Sequence, residues 1–145
     1  TLTIPLANLL VPRLIARTGP LLPMALGQAI CGLGFLALAP IDGATPYAAV
    51  FAPLLAIGAG GGLTVPPMTA ALLGAVPAAR RGVASGVLNA SRQAGGVVGV
   101  AIFGALVGRA GGFVAGTQSA LVLAGAATLL GCAVTLLFVP RAALV

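Results

Sequence analysis

Residues 43–79 read GATPYAAVFAPLLAIGAGGGLTVPPMTAALLGAVPAA, with no charged side chain from Gly43 to Ala79. About 20 consecutive apolar residues suffice for a helix to cross the hydrocarbon of a bilayer. This run is longer than that and offers no surface that water could solvate. Outward from it, charge stays scarce. The whole chain holds seven arginines and Asp42, with no Lys, Glu or His, and 60% of its residues are hydrophobic. A soluble domain carries about a quarter charged residues. The composition therefore assigns an all-α integral membrane protein rather than a soluble domain.

The charges divide the chain. Arg13 and Arg17 precede an apolar span at 21–40, and Asp42 and Pro46 mark a loop. A second span fits about 47–76, followed by a loop at Arg80, Arg81 and Gly82. A third runs from about 83 to 107 and contains Arg92; Arg109, Gly111 and Gly112 form the next loop. The last span is about 118–139, closed by Pro140 and Arg141. Runs of this length fit helices, since barrel strands need only about 9–11 residues and alternate in polarity. Residues 1–12 are apolar but too few to cross. They read as a partial helix, so the expectation is four full transmembrane helices plus a partial N-terminal one. The whole of 1–145 then reads as the C-terminal part of a larger bundle.

Positive residues favour the cytoplasmic side. Arg13, Arg17, Arg80, Arg81 and Arg141 fall on one side, while Asp42 and Arg109 fall on the other. This places the C-terminus of a multi-pass cell-membrane protein in the cytoplasm. Within the second span stand Gly60, Gly61 and Gly62, then Thr64, then Pro66 and Pro67. Each proline removes a backbone donor and crowds the preceding turn. A kinked or broken helix centred on 60–67 is expected, either a hinge or a tight helix crossing with an incidental bend.

The third span carries the polar side chains. At 100° per residue, Ser85, Asn89, Arg92, Gly96, Gly99 and Phe103 fall in one narrow sector. Arg92 lies ten residues beyond Gly82, about 15 Å along a helix. Facing lipid there, it would cost roughly 2.5–3.5 kcal/mol. It is expected to face the bundle interior or a wet cavity, or else to snorkel to the cytoplasmic interface. Its partner is expected to be a backbone carbonyl, water or an acid outside this sequence. Pairs of glycines at four-residue spacing, Gly82 and Gly86, Gly95 and Gly99, Gly104 and Gly108, suit close helix packing.

Other functions fit poorly. Nucleic-acid faces cluster basic residues with polar or aromatic partners, whereas these arginines stand between apolar runs, so no nucleic-acid partner is expected. An enzyme needs groups that move protons, attack or hold a metal. Ser85, Ser91 and Ser119 have no base, and Cys31 and Cys132 sit in apolar runs as small hydrophobes. Neither catalytic residue, metal nor cofactor is expected. Gln28 and Thr64 are possible pathway residues, or amide and hydroxyl groups bonded locally.

Three stretches resemble the C-terminal end of a major facilitator superfamily transporter, of the fourteen-helix drug:proton antiporter type. Arg17-Thr18-Gly19 resembles the superfamily's cytoplasmic loop motif in its second-half copy. Gly58-Ala59-Gly60-Gly61-Gly62 followed by Pro66-Pro67 resembles the glycine-rich helix before the last pair. Arg81-Gly82-Val83-Ala84-Ser85-Gly86, then Asn89, Arg92-Gln93 and Gly95-Gly96, resembles that group's most specific signature. The chain departs from the loop motif at Pro12 and Ala16, and Pro140-Arg141-Ala142 replaces the sugar-transporter ending.

The resemblance implies two halves rocking about a central site, moving a small-molecule substrate outward against a proton. Asn89, Arg92, Gln93, Gly95 and Gly96 would then line the cytoplasmic part of the pathway. Arg17, Gly19, Arg80 and Arg81 would belong to cytoplasmic loops. Proton coupling needs a buried carboxylate, which the spans lack, so these residues alone are expected not to transport. The rival reading is a small structural or assembly subunit of a membrane complex; the length of the upstream reading frame distinguishes the two.

Overall fold

A computed structural model describes residues 18–40, 45–108 and 112–139. The partial helix expected over 1–12 lies outside the described residues, as do Arg13, Arg17, Asp42, Arg109 and Arg141. Four long helices make up the rest: α1 (Leu21–Leu38), α2 (Tyr47–Gly74), α3 (Arg81–Val107) and α4 (Phe113–Phe138). A 3-10 turn at Ala78–Arg80 leads into α3. All four helices are long and apolar enough to span a membrane.

Their ends follow from local chemistry. Gly19 takes φ 72, a left-handed conformation that suits glycine, just before α1 begins. Pro46 is extended (φ −59, ψ 140) and its carbonyl accepts from the Ala49 N–H at 2.9 Å, opening α2. Gly112, at φ 89, opens α4 at Phe113, five residues before the 118 expected from apolarity. Val139 is extended (φ −82, ψ 119), as the residue before Pro140 should be. Likewise α3 starts at Arg81 rather than 83, so Arg81 and Gly82 belong to its first turn and not to a loop.

Across the bundle the helices lie in the order α2, α1, α4, α3, with α2 and α3 touching only sparsely. Neighbours are antiparallel: Gly34 stands against Ile57 where Gly27 stands against Gly60 and Thr64. Ala25 pairs with Cys132 and Gly32 with Gly125, so α1 and α4 also run in opposite directions. Lipid tails are as apolar as leucine, so such helices associate through close van der Waals packing rather than through hydrophobic burial. Many of the buried residues are accordingly small, among them Gly27, Gly32 and Gly34 on α1, Gly60 on α2, and Gly116, Ala120 and Gly125 on α4.

The close approaches do not use the glycine pairs that the sequence marked. A β-carbon on Gly82, Gly86, Gly95, Gly99 or Gly104 would meet nothing within 4 Å outside its own turn. On Gly116 it would meet the Leu106 carbonyl oxygen at 2.5 Å, and on Gly32 the Leu129 side chain at 2.8 Å. Spacing along one helix registers where a partner could approach, whereas these contacts depend on which faces the fold brings together.

The expected break in α2 is absent: the helix runs uninterrupted from Tyr47 to Gly74 through Gly60–Gly62 and past Pro66 and Pro67. Two prolines leave two carbonyls without their helical donors, which a helix in a packed bundle tolerates. Threonine hydroxyls add bonds to the same backbone, from Thr64 Oγ1 to Gly60 O at 2.8 Å and from Thr69 Oγ1 to Val65 O at 3.0 Å. Gly60 is where α2 crosses α1, and Pro67 is fully buried. The segment is thus helical throughout and contains the α1–α2 crossing.

Candidate functional site

The polar stripe of the sequence lies on one unbroken helix, α3. Ser85, Asn89, Arg92, Gln93, Gly95 and Gly96 are all exposed, and α3 buries no residue at all. Leu88, Arg92 and Gly99 follow at spacings of four and seven, so they share a face. Leu88 is half-buried, and Gly99 lines an apolar groove against α4 with Phe103, Ala120 and Ala124. Arg92 stands between them, uncovered by any described helix.

The expected shelter for its guanidinium is therefore not supplied by the described residues. The reason is geometric. α3 is held to α4 through Leu106 and Val107 against Gly116, near one end. Toward its other end nothing buries it. Asn89, Arg92 and Gln93 are exposed along that uncovered part of α3.

Other polar residues flagged by the sequence find local roles. Thr64 gives its hydroxyl to Gly60 O and packs at the α1–α2 crossing, where a β-carbon on Gly27 would lie 2.5 Å from Thr64 Oγ1. Thr117, Ser119 and Thr128 likewise bond the carbonyl four residues back. Such bonds satisfy hydroxyls inside a membrane helix. Cys132 Sγ donates across helices to Ala25 O at 3.3 Å. Gln28 differs. Its Oε1 is buried at the α1–α4 contact and has no hydrogen-bond partner among the described residues. Gly131 faces it, at 3.9 Å between the glycine's notional β-carbon and Gln28 Nε2.

Of the loop residues, Arg80 and Arg81 are exposed at the start of α3, while Gly19 is buried and adopts the left-handed conformation already noted. Among the described residues no group of three His, Cys, Asp or Glu comes together as a metal site would require. The close-approach glycines Gly27, Gly32, Gly116 and Gly125 escaped sequence reading, because a single glycine in an apolar run announces no partner.

Several proteins of known description are similar to this chain in sequence. The methylenomycin A resistance protein of Streptomyces coelicolor is 35% identical over 133 residues, covering 90% of this chain and 28% of its own length. The drug efflux pump JefA of Mycobacterium tuberculosis is 37% identical over 103 residues, or 70% of this chain and 20% of that protein. The methylenomycin A resistance protein of Bacillus subtilis is 31% identical over 92% of this chain and 29% of its own length. The chain thus spans less than a third of the curated relatives it matches. No solved structure matches it significantly. The sequence profile of the Major Facilitator Superfamily matches residues 1–144, and the chain belongs to that superfamily.

Proposed function

We propose that this chain is the C-terminal part of a secondary active transporter that exports drugs or related small molecules in exchange for protons. The observation that carries the reading is Arg92, a cation about 16 Å into a membrane helix, on a polar stripe that no described residue covers. A charge at that depth is retained only against protein or a water-filled cavity. Similarity to resistance and efflux proteins supplies the chemistry of the cargo.

On this reading Asn89, Arg92 and Gln93 line the cytoplasmic part of the pathway, and Gly95 and Gly96 let substrate or a facing helix approach the backbone. Gly60, Gly61 and Gly62 with Pro66 and Pro67 form the segment of α2 that flexes as access alternates. Arg17 and Gly19 with Arg80 and Arg81 stand at the cytoplasmic face, and the C-terminus lies on that side. The membrane and the substrate are the partners. The coupling carboxylate comes from outside these residues, since Asp42 is the single acid and its sequence position between two apolar spans reads as a loop.

The test expresses the full-length protein in a drug-sensitive host and measures drug accumulation. Lower accumulation that rises when a protonophore collapses the gradient is the expected result, with residues 1–145 alone inert. Unchanged accumulation across a drug panel would remove the export reading. Export indifferent to the protonophore would remove proton coupling. Family membership favours this reading over an assembly subunit.

A further inference from the structure

We propose that Arg80 and Arg81 hold the phosphate of an anionic phospholipid headgroup at the membrane surface. This rests on the reading of α2 and α3 as membrane-spanning. The chain leaves α2 at Gly74 and enters α3 at Arg81, so residues 75–80 mark the level at which both helices emerge. Pro77 turns this connector, and the Arg80 N–H bonds Pro77 O at 2.9 Å. That 3-10 turn fixes Arg80 directly ahead of α3, with Arg81 beside it.

Both arginines are exposed. Among the described residues neither has an ion-pair partner, and the first turn of α3 contains no acid. Asp42, the only acid in the sequence, falls between α1 and α2 along the chain and not next to these arginines in sequence. Among the described residues, the two neighbouring cations are thus without internal neutralisation where α2 and α3 meet at the connector.

The surface beneath them is aliphatic. Val83 and Val87, three and seven residues beyond Arg80, continue down α3 beneath it and are 71% and 61% exposed. An acyl chain can lie along these valines while the guanidinium forks meet phosphate oxygens in two-point contacts. A free phosphate would use the arginines alone and leave the valines idle, so the combination selects a lipid.

The experiment uses the full-length protein in detergent and a fluorescent phosphatidylglycerol, with phosphatidylcholine as the neutral comparison. Phosphatidylglycerol is expected to bind more tightly. The double variant R80Q/R81Q is expected to lose roughly fivefold per arginine, about 25-fold in all at low salt, and R80K/R81K, which keeps the charge but loses the fork, to fall in between. Equal binding by wild type and R80Q/R81Q overturns the proposal. Competition by millimolar inorganic phosphate also overturns it, by giving the site to a free anion. Should R80Q/R81Q fail to fold, a photoreactive side chain introduced at Ala79 with both arginines intact decides. Preferred capture of phosphatidylglycerol supports the site, and equal capture of the two lipids overturns it. The assay needs no transport. A protein that binds this lipid through Arg80 and Arg81 yet exports no drug overturns the transport reading alone.

Discussion

Gly27 and Gly60 meet backbone to backbone. A β-carbon on Gly27 would lie 2.6 Å from the Gly60 carbonyl oxygen, and one on Gly60 would lie 2.5 Å from that of Gly27. No real β-carbon contact is that short, so α1 and α2 stand at a separation that only two glycines permit. Thr64 closes the same crossing by turning its hydroxyl back to Gly60 O.

Substituting either glycine should therefore push the helices apart. Gly27→Ala and Gly60→Ala are each expected to destabilise by about 1–3 kcal/mol, the usual range for overpacking. The readout is the thermal midpoint of the full-length protein in detergent. Gly58→Ala and Gly61→Ala serve as controls, since a β-carbon there meets nothing within 4 Å. They should be neutral, or stabilising by about 0.5–1 kcal/mol through helix propensity. Equal behaviour of Gly27→Ala and Gly61→Ala would show that the crossing is looser than described.

Gln28 presents the opposite case, a buried carbonyl oxygen with no donor among the described residues. An unsatisfied buried polar group costs roughly 1–3 kcal/mol. Gln28→Leu fills similar space without that cost, so the thermal midpoint should rise. A fall would mean that the amide is satisfied in the membrane-embedded protein. A rise accompanied by lost drug export would mark Gln28 as a residue kept for transport at the expense of stability.

Arg92 is expected to matter for transport and little for assembly, because no described residue packs on it. Arg92→Ala should leave the amount of protein in the membrane unchanged. Efflux should drop about tenfold to a hundredfold, corresponding to a lost charged hydrogen bond of roughly 1.5–3 kcal/mol. Arg92→Lys keeps the charge but loses the planar fork and should fall in between. Full efflux by Arg92→Ala would place this side chain outside the pathway.

The proposed orientation can be read by labelling intact cells with a membrane-impermeant maleimide. In a background carrying C31A and C132S, Phe113→Cys should react from outside and Ala79→Cys only after permeabilisation. Both parent residues are exposed. The reverse pattern would invert the topology.

The helices were legible in the sequence because hydrocarbon imposes a length and excludes charge; the empty stretch from 43 to 79 could be little else. Boundaries were less so. The early start of α4 depends on the backbone of Gly112, at φ 89, which apolarity does not register. The double proline of α2 did not break the helix, since a proline's effect depends on whether neighbours hold the helix together, and that is a property of the bundle. The polar stripe of α3 could be read as a stripe from its spacing. What faces Arg92 could not, because spacing describes one helix and a partner belongs to another.

The looseness of α3 has a consequence for biogenesis. As the polypeptide leaves the ribosome, α1 and α2 can dock at once through Gly27 and Gly60, and α4 then finds α1 through Gly32, Gly125 and Cys132. Synthesised between those events, α3 settles against little but one end of α4. Among the described residues it is the last helix to be secured, so its capture depends on partners other than α1 and α2.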